Sequence, residues 1–91
     1  MSIPKAVSDA KKYDWKVVVD AYLFGAGKVG EHYAAHAYFD LSGTIGDGET
    51  ILTPPVRVVA RRDGYTLVQS ECGGDHYVLV SSMDQDESAY V

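Results

Sequence analysis

Apolar and polar residues alternate with a period of two along much of the chain, a pattern typical of β-strands. Residues 15–24, "WKVVVDAYLF", show it first. One face of this predicted strand is purely apolar and consists of Trp15, Val17, Val19, Ala21 and Leu23. The other face is mixed and consists of Lys16, Val18, Asp20, Tyr22 and Phe24. We therefore expect the first face, Trp15 included, to lie in the core.

Residues 31–41, "EHYAAHAYFDL", fit either a strand or a helix. As a strand, the segment presents one apolar face made of Tyr33, Ala35, Ala37, Phe39 and Leu41. As a helix, it presents an apolar stripe that leaves Phe39 outside. Its alanines favour a helix, whereas its aromatic residues favour a strand. We predict a strand here.

Turn signals divide the rest of the chain into short strands at intervals of about ten residues. Pro54-Pro55 interrupts one strand, because consecutive prolines remove two donors from a sheet ladder. Asp63-Gly64 lies between apolar runs and indicates a hairpin. Residues 3–13 have helical spacing instead. These patterns predict a mainly β protein of the α+β class, a small antiparallel barrel or sandwich-like sheet of about five to six strands with a short N-terminal helix.

The length of the chain predicts one domain over residues 1–91, because so short a chain buries one modest core. Within it we expect the helix in residues 1–14, the sheet in residues 15–82 and an acidic tail in residues 83–91. A single cysteine, the absence of a secretory signal pattern and the absence of a long apolar run indicate a cytoplasmic protein without a membrane span.

The charge is distributed unevenly along the chain. Residues 1–62 hold all eight lysines and arginines and seven of the acids, whereas residues 63–91 hold six acids and no base. Nucleic-acid binding depends on clustered basic residues, so this distribution argues against it. Asp84, Asp86 and Glu87 either form a solvated tail or occupy a basic site on a partner protein.

Gly25, Gly27 and Gly30 have the G-x-G-x-x-G spacing of a dinucleotide-binding turn. That turn must end a strand and open a helix inside a βαβ unit, with an acid about 20 residues further on at a strand end. The downstream hairpin signals belong to an antiparallel sheet instead. We therefore interpret the glycines as a hairpin loop with positive φ angles, and we expect no cofactor.

The candidate metal ligands and nucleophiles are few. His32, His36, Cys72 and His76 form the pairs H-x₃-H and C-x₃-H. On a strand, four residues span about 13 Å, so the first pair is too far apart to share an ion. Cys72 and His76 could also form a nucleophile and its base, but such a pair needs a third group to orient it, and the sequence offers only the adjacent Asp75. We expect neither a metal site nor an enzyme.

The mixed face of the first predicted hairpin is the candidate binding surface. On the strand interpretation, Tyr22, Phe24 and Tyr38 share that face with His32 and His36. An exposed sheet face with aromatic residues and few charges is typical of the centre of a protein interface. The alternative is that the N-terminal helix covers this face.

The second half of the chain resembles small β-rich proteins encoded by tailed phages and their prophages. The residues that carry the resemblance are Thr53, Pro55, Val56, Gly64, Tyr65 and Leu67. The resemblance implies a non-enzymatic inhibitor that binds and sterically blocks a host defence complex, as anti-CRISPR proteins do, and it carries over no functional residue. The alternatives are a structural protein that forms a homodimer through the aromatic face and a domain that binds a small ligand or a metal.

Overall fold

The computed structural model describes residues 3–72 and 74–80, and this part of the chain contains one helix and six strands. The elements are α1 (Lys5–Lys11), β1 (Ala21–Val29), β2 (His32–Tyr38), β3 (Glu49–Leu52), β4 (Val56–Arg62), β5 (Tyr65–Ser70) and β6 (His76–Leu79). The strand predicted for residues 31–41 is confirmed over His32–Tyr38, but Phe39 has a φ of +55° and Leu41 is 62% exposed, so these two do not continue the predicted apolar face. The predicted acidic tail, residues 83–91, lies outside the described residues.

The strands form one mixed sheet in the order β3-β2-β1-β6-β5-β4. Four neighbouring pairs are antiparallel, and β1 pairs with β6 in parallel. Hairpin signals concern only strands that are adjacent in the chain, so they did not reveal the parallel pair. The mainly β prediction is confirmed. The sandwich-like form fits, because β3 and β4 are not paired and the sheet does not close into a barrel.

The two edge strands are consecutive in the chain, and a short bend joins them. Pro54 and Pro55 occupy this bend, where the missing backbone donors interrupt no ladder. The N–H of Thr53 donates to the carbonyl of Tyr33 at 2.8 Å, and the N–H of Glu71 donates to Pro55 at 2.9 Å. The bend is therefore tied to β2 on one side and to the β5–β6 connection on the other, so the sheet curls.

Each face of the sheet carries its own core. The inner core consists of Ala21, Leu23, Ala26, Ala35, Ala37, Val68 and Leu79. The outer core, onto which α1 packs, consists of Val7, Ala10, Trp15, Tyr22, Tyr38, Leu67, Val78 and Val80. Alanine predominates in the inner core because a curled sheet brings the side chains of its concave face close together.

Trp15 lies in the core, as predicted, but the predicted face is wrong. It packs with Tyr22 in the outer core, whereas Ala21 and Leu23 lie in the inner core. The alternation fails because β1 begins only at Ala21 and Lys16 has a φ of +66°. A left-handed residue turns the chain, so positions before and after it do not share one strand period.

The glycine-rich stretch forms a hairpin, but most of it is strand rather than loop. β1 continues to Val29 and pairs with β2, with an irregularity in register between Phe24 and Gly27. Gly25 has a φ of +67° at this bulge, and Gly30 has a φ of +62° in the tight turn. Gly27 does not have a positive φ, so that part of the prediction is wrong.

Candidate functional site

The structure divides the predicted aromatic face into a covered half and an uncovered half. Tyr22 and Tyr38 lie opposite each other on β1 and β2 and are only 6% and 8% exposed. Both pack in the outer core with Val7 and Ala10 of α1. The alternative in which the helix covers this face therefore holds for these two tyrosines, and neither is open to a partner in this arrangement.

The remaining part of the same face forms a surface that we call the outer patch. It consists of Phe24, Val29, His32, Ala34, His36 and Leu52. The strand register places them together: Phe24 lies opposite His36, Val29 opposite His32, and Ala34 opposite Leu52. The outer patch thus contains the three predicted residues that α1 leaves uncovered, together with neighbours from three strands.

The outer patch carries no charged residue, and three of its residues are exposed while Phe24, His32 and Ala34 are half-buried. Leu52 and Val29 are 61% and 55% exposed, and His36 is also exposed. The register positions on this part of the face carry no Asp, Glu, Lys or Arg; they are Phe24, Gly27, Val29, His32, Ala34, His36, Thr50 and Leu52. The free-energy cost of removing water from such a surface is small, because no charged group has to be desolvated.

Sequence reasoning missed Val29 and Leu52. The stretch that contains Val29 was interpreted as loop, although a strand that continues through the glycines would have placed it beside His32. Leu52 follows Ile51 in an apolar pair, and only its register with β2 decides which of the two faces outward. That register comes from the bend at Thr53, which the local pattern does not encode.

Backbone carbonyls fix both histidines of the outer patch. Nδ1 of His32 lies 2.7 Å from the carbonyl oxygen of Thr53, and Nδ1 of His36 lies 3.1 Å from that of Gly48. A carbonyl oxygen only accepts a hydrogen bond, so the Nδ1 atom of each histidine carries a proton and donates it. The described residues contain no group of three or more His, Cys, Asp or Glu side chains that could hold a metal ion.

Cys72 and His76 flank the connection between β5 and β6. Cys72 is exposed in the turn after β5, and His76 begins β6. The backbone N–H of His76 donates to the Asp20 carboxylate at 2.9 Å, which fixes the start of β6 beside the chain that enters β1. The contacts of this region are those of a turn that joins two strands.

A cavity of about 470 Å³ opens on the inner side of the sheet, lined by Asp20, Asp40 and Asp75 with Tyr77 among them. Two of these carboxylates serve the fold. Asp20 accepts from His76, and Asp40 accepts from the Ser42 hydroxyl and from the backbone N–H groups of the following loop. These bonds to Asp40 hold its pKa below the ordinary value. Two of the three carboxylates in the cavity wall therefore anchor backbone segments of the fold.

Buried tyrosines make the stability of the protein sensitive to alkaline pH. Burial raises the pKa of Tyr22 and of Tyr77 above the ordinary 10.0, and for Tyr77 the nearby carboxylates of Asp75, Asp20 and Asp40 raise it further. A folded-state pKa above the unfolded one gives stability that is complete below about pH 10 and is lost as the pH rises through the folded value. We expect the free energy of unfolding in urea to fall above about pH 10.

Phenylalanine variants provide the control for this prediction. Tyr22→Phe and Tyr77→Phe remove the ionisable phenols but keep the lysines, which titrate in the same range. Each variant should show a shallower alkaline loss than the unmodified chain. A wild-type stability that stays constant from about pH 8 to pH 11 would contradict the prediction.

Two further sequence predictions concern the ends of the chain and the membrane. The candidate interface residues Asp84, Asp86 and Glu87 lie outside the described residues. Within residues 3–72 and 74–80, no helix has the length and apolar character needed to cross a membrane.

Comparisons of the chain with protein-family models, with curated proteins and with solved structures found no match.

Proposed function

We propose that this chain is a non-enzymatic protein-binding module that contacts its partner through the outer patch. The observation that carries the proposal is an uncharged strip in which the exposed Val29 and Leu52 flank two histidines. Depletion of charge and enrichment of apolar and aromatic groups distinguish the centre of protein interfaces from ordinary surface. The partner is therefore a folded protein that offers an apolar, uncharged surface of its own.

The construction of the outer patch supports this role. Its residues lie on three hydrogen-bonded strands, and the rings of His32 and His36 are held by backbone carbonyls. A surface that is already ordered loses little conformational entropy when it binds. Binding then requires no rearrangement of the sheet, and α1 stays packed on the neighbouring half of the face.

The more specific form of the proposal is an inhibitor of phage type that acts in the cytoplasm. It would bind a host defence complex and block it sterically, without chemistry and without touching nucleic acid directly. This form rests on the resemblance of the second half of the chain to phage-encoded proteins. The charge distribution agrees with it, because the net charge of −5 disfavours contact with phosphate.

Two leucines of equal exposure allow a matched test. Leu52 is 61% exposed in the outer patch, and Leu41 is 62% exposed outside it. Leu52→Asp should abolish capture of the partner from a bacterial lysate, because an unpaired carboxylate would be buried in the contact. Leu41→Asp should capture it as the unmodified chain does. Both variants should stay within about 1 kcal/mol of the wild-type stability, since the side chains are exposed.

The outcome is decided by comparison of the three captured sets, identified by mass spectrometry. Proteins that are present with the wild type and Leu41→Asp but absent with Leu52→Asp support the proposal. A set that is identical for all three chains, or no specific protein at all, overturns it.

A homodimer through the outer patch is the second candidate. The patch carries no charge to repel a second copy of itself, so self-association is physically open. Sedimentation equilibrium separates the two functions. Dimerisation that increases with concentration and disappears in Leu52→Asp would assign the patch to a second copy of the chain instead.

A further inference from the structure

The edge strand β4 is a second surface of interest. Among the strands that the structure describes, it is an edge strand and pairs only with β5. In an antiparallel pair, the N–H and C=O groups of alternate residues point away from the neighbouring strand. Within residues 3–72 and 74–80, no backbone hydrogen bond outside the β5 ladder reaches residues 57–62. The outer polar groups of β4 are therefore open to another strand.

The charge of β4 is entirely positive. Arg57, Arg61 and Arg62 are exposed, and none of them forms a salt bridge with the described part of the chain. Arg57 donates to the neutral side chain of Gln69, and the adjacent acid, Asp63, accepts a hydrogen bond from Tyr13. Three of the eight basic residues of an acidic protein are thus concentrated on one strand, and none of the three forms a salt bridge within residues 3–72 and 74–80.

Apolar side chains separate these arginines. Val58 and Val59 are exposed between Arg57 and Arg61, although apolar side chains on an exposed edge strand invite unwanted pairing. The register shifts between Val58 and Ala60, a bulge that bends the edge. The bulge limits regular pairing to the residues on either side of it, whereas the arginines repel a basic strand and attract an acidic one.

We propose that β4 binds an extended, acidic segment of a partner protein by strand addition. The main-chain groups of β4 would pair with those of the segment, and carboxylates of the segment would lie opposite the arginines, with Cβ atoms about 5 Å apart. A symmetric pairing of β4 with the β4 of a second copy is disfavoured, because it would place like charges opposite each other. The segment would thus be selected by charge and bound by its backbone.

A synthetic peptide tests this proposal on the full chain. The probe is a peptide of about ten residues in which pairs of glutamates alternate with pairs of valines, so that both faces of the added strand carry carboxylates, as Arg61 and Arg62 require; its ends are blocked and it carries a fluorophore. We expect it to bind, with an affinity that falls as salt is added. We expect an analogue with every second amide N-methylated to bind at least about tenfold more weakly, because it cannot pair in a ladder. A lysine-for-glutamate analogue should not bind.

Charge-matched variants locate the site. Arg61→Glu/Arg62→Glu should weaken binding at least about tenfold, and Lys12→Glu/Lys16→Glu, which changes the charge equally at exposed positions outside β4, should leave it intact. Leu52→Asp should also bind normally, so failure here is distinguishable from failure of the outer patch. Hydrogen exchange should slow at amides of residues 57–62 when the peptide is present.

Each contrary result overturns the proposal. Absence of binding, equal binding of the N-methylated analogue, or equal binding by Arg61→Glu/Arg62→Glu excludes strand addition at β4. The peptide analogues need no mutation, so the test stands even if the arginine variant fails to fold.

Discussion

Replacement of Trp15 by alanine is expected to destabilise the fold by about 3–5 kcal/mol, the range for loss of a buried tryptophan. The side chain is buried in the outer core, and its indole N–H donates to the carbonyl of Ala10 at 3.1 Å. Its ring also contacts those of Tyr13 and Tyr65, with centroids 5.0 and 6.0 Å away. A domain of this size has only about 5–10 kcal/mol of stability, so most of it would be lost.

The cost is large because Trp15 joins the helix to the sheet. α1 has seven residues and no side-chain N-cap hydrogen bond, so it is not stable alone and depends on packing. Without the indole, α1 loses both a packing surface and the hydrogen bond to its last turn. Tyr22 and Tyr38, which α1 covers, would then become exposed.

Urea unfolding measures this prediction. Trp15→Phe is the control, since it keeps an aromatic ring but removes the indole N–H, and it should retain more stability than Trp15→Ala. Dye binding to apolar surface should increase in Trp15→Ala under conditions where the phenylalanine variant remains native. Near-native urea stability of Trp15→Ala would show that the indole is not a structural link between helix and sheet.

Local patterns predicted the elements because those elements follow from local rules. The alternation of residues 31–41 indicated a strand, and β2 occupies His32–Tyr38. The prolines indicated an interruption, which separates β3 from β4, and Asp63-Gly64 indicated the turn between β4 and β5. Each of these signals acts over a few residues, so a single sequence is enough to detect it.

The pairing of distant strands did not follow from local patterns. The parallel pair β1–β6 joins residues about 56 positions apart, such as Ala21 and Tyr77. The face of Trp15 was wrong because Lys16 adopts a positive φ, which is uncommon for lysine and has no local signal. Local alternation defines faces within a strand but not across an irregular connection.

The candidate site was predictable in part for the same reason. Alternation placed Phe24, His32 and His36 on one face with two tyrosines, and the strand register agrees. The position of α1 decides which of these residues remain exposed, and that position depends on the path of residues 12–20 rather than on periodicity. Leu52 joined the surface through pairing with Ala34, which is a long-range contact.

The second large effect is expected for Thr53→Val, which should destabilise the fold by about 1–3 kcal/mol although it preserves the shape of the side chain. Thr53 is 2% exposed at the bend between β3 and β4. Its hydroxyl oxygen accepts from the backbone N–H of Tyr33 at 3.0 Å. Valine offers no acceptor, so that N–H would lose its partner next to a buried side chain.

The same residue connects the fold to the outer patch. The carbonyl of Thr53 accepts from Nδ1 of His32, and Leu52 precedes it in the chain. Thr53→Ser, which keeps the hydroxyl and loses only a methyl group, should cost about 1 kcal/mol and serves as the control. Urea unfolding gives the stabilities, and hydrogen exchange at the Tyr33 amide should accelerate in Thr53→Val alone. A valine variant as stable as the wild type would mean that the hydroxyl does not hold the bend. The carbonyl of Thr53 would then be a weaker anchor for the ring of His32 in the outer patch.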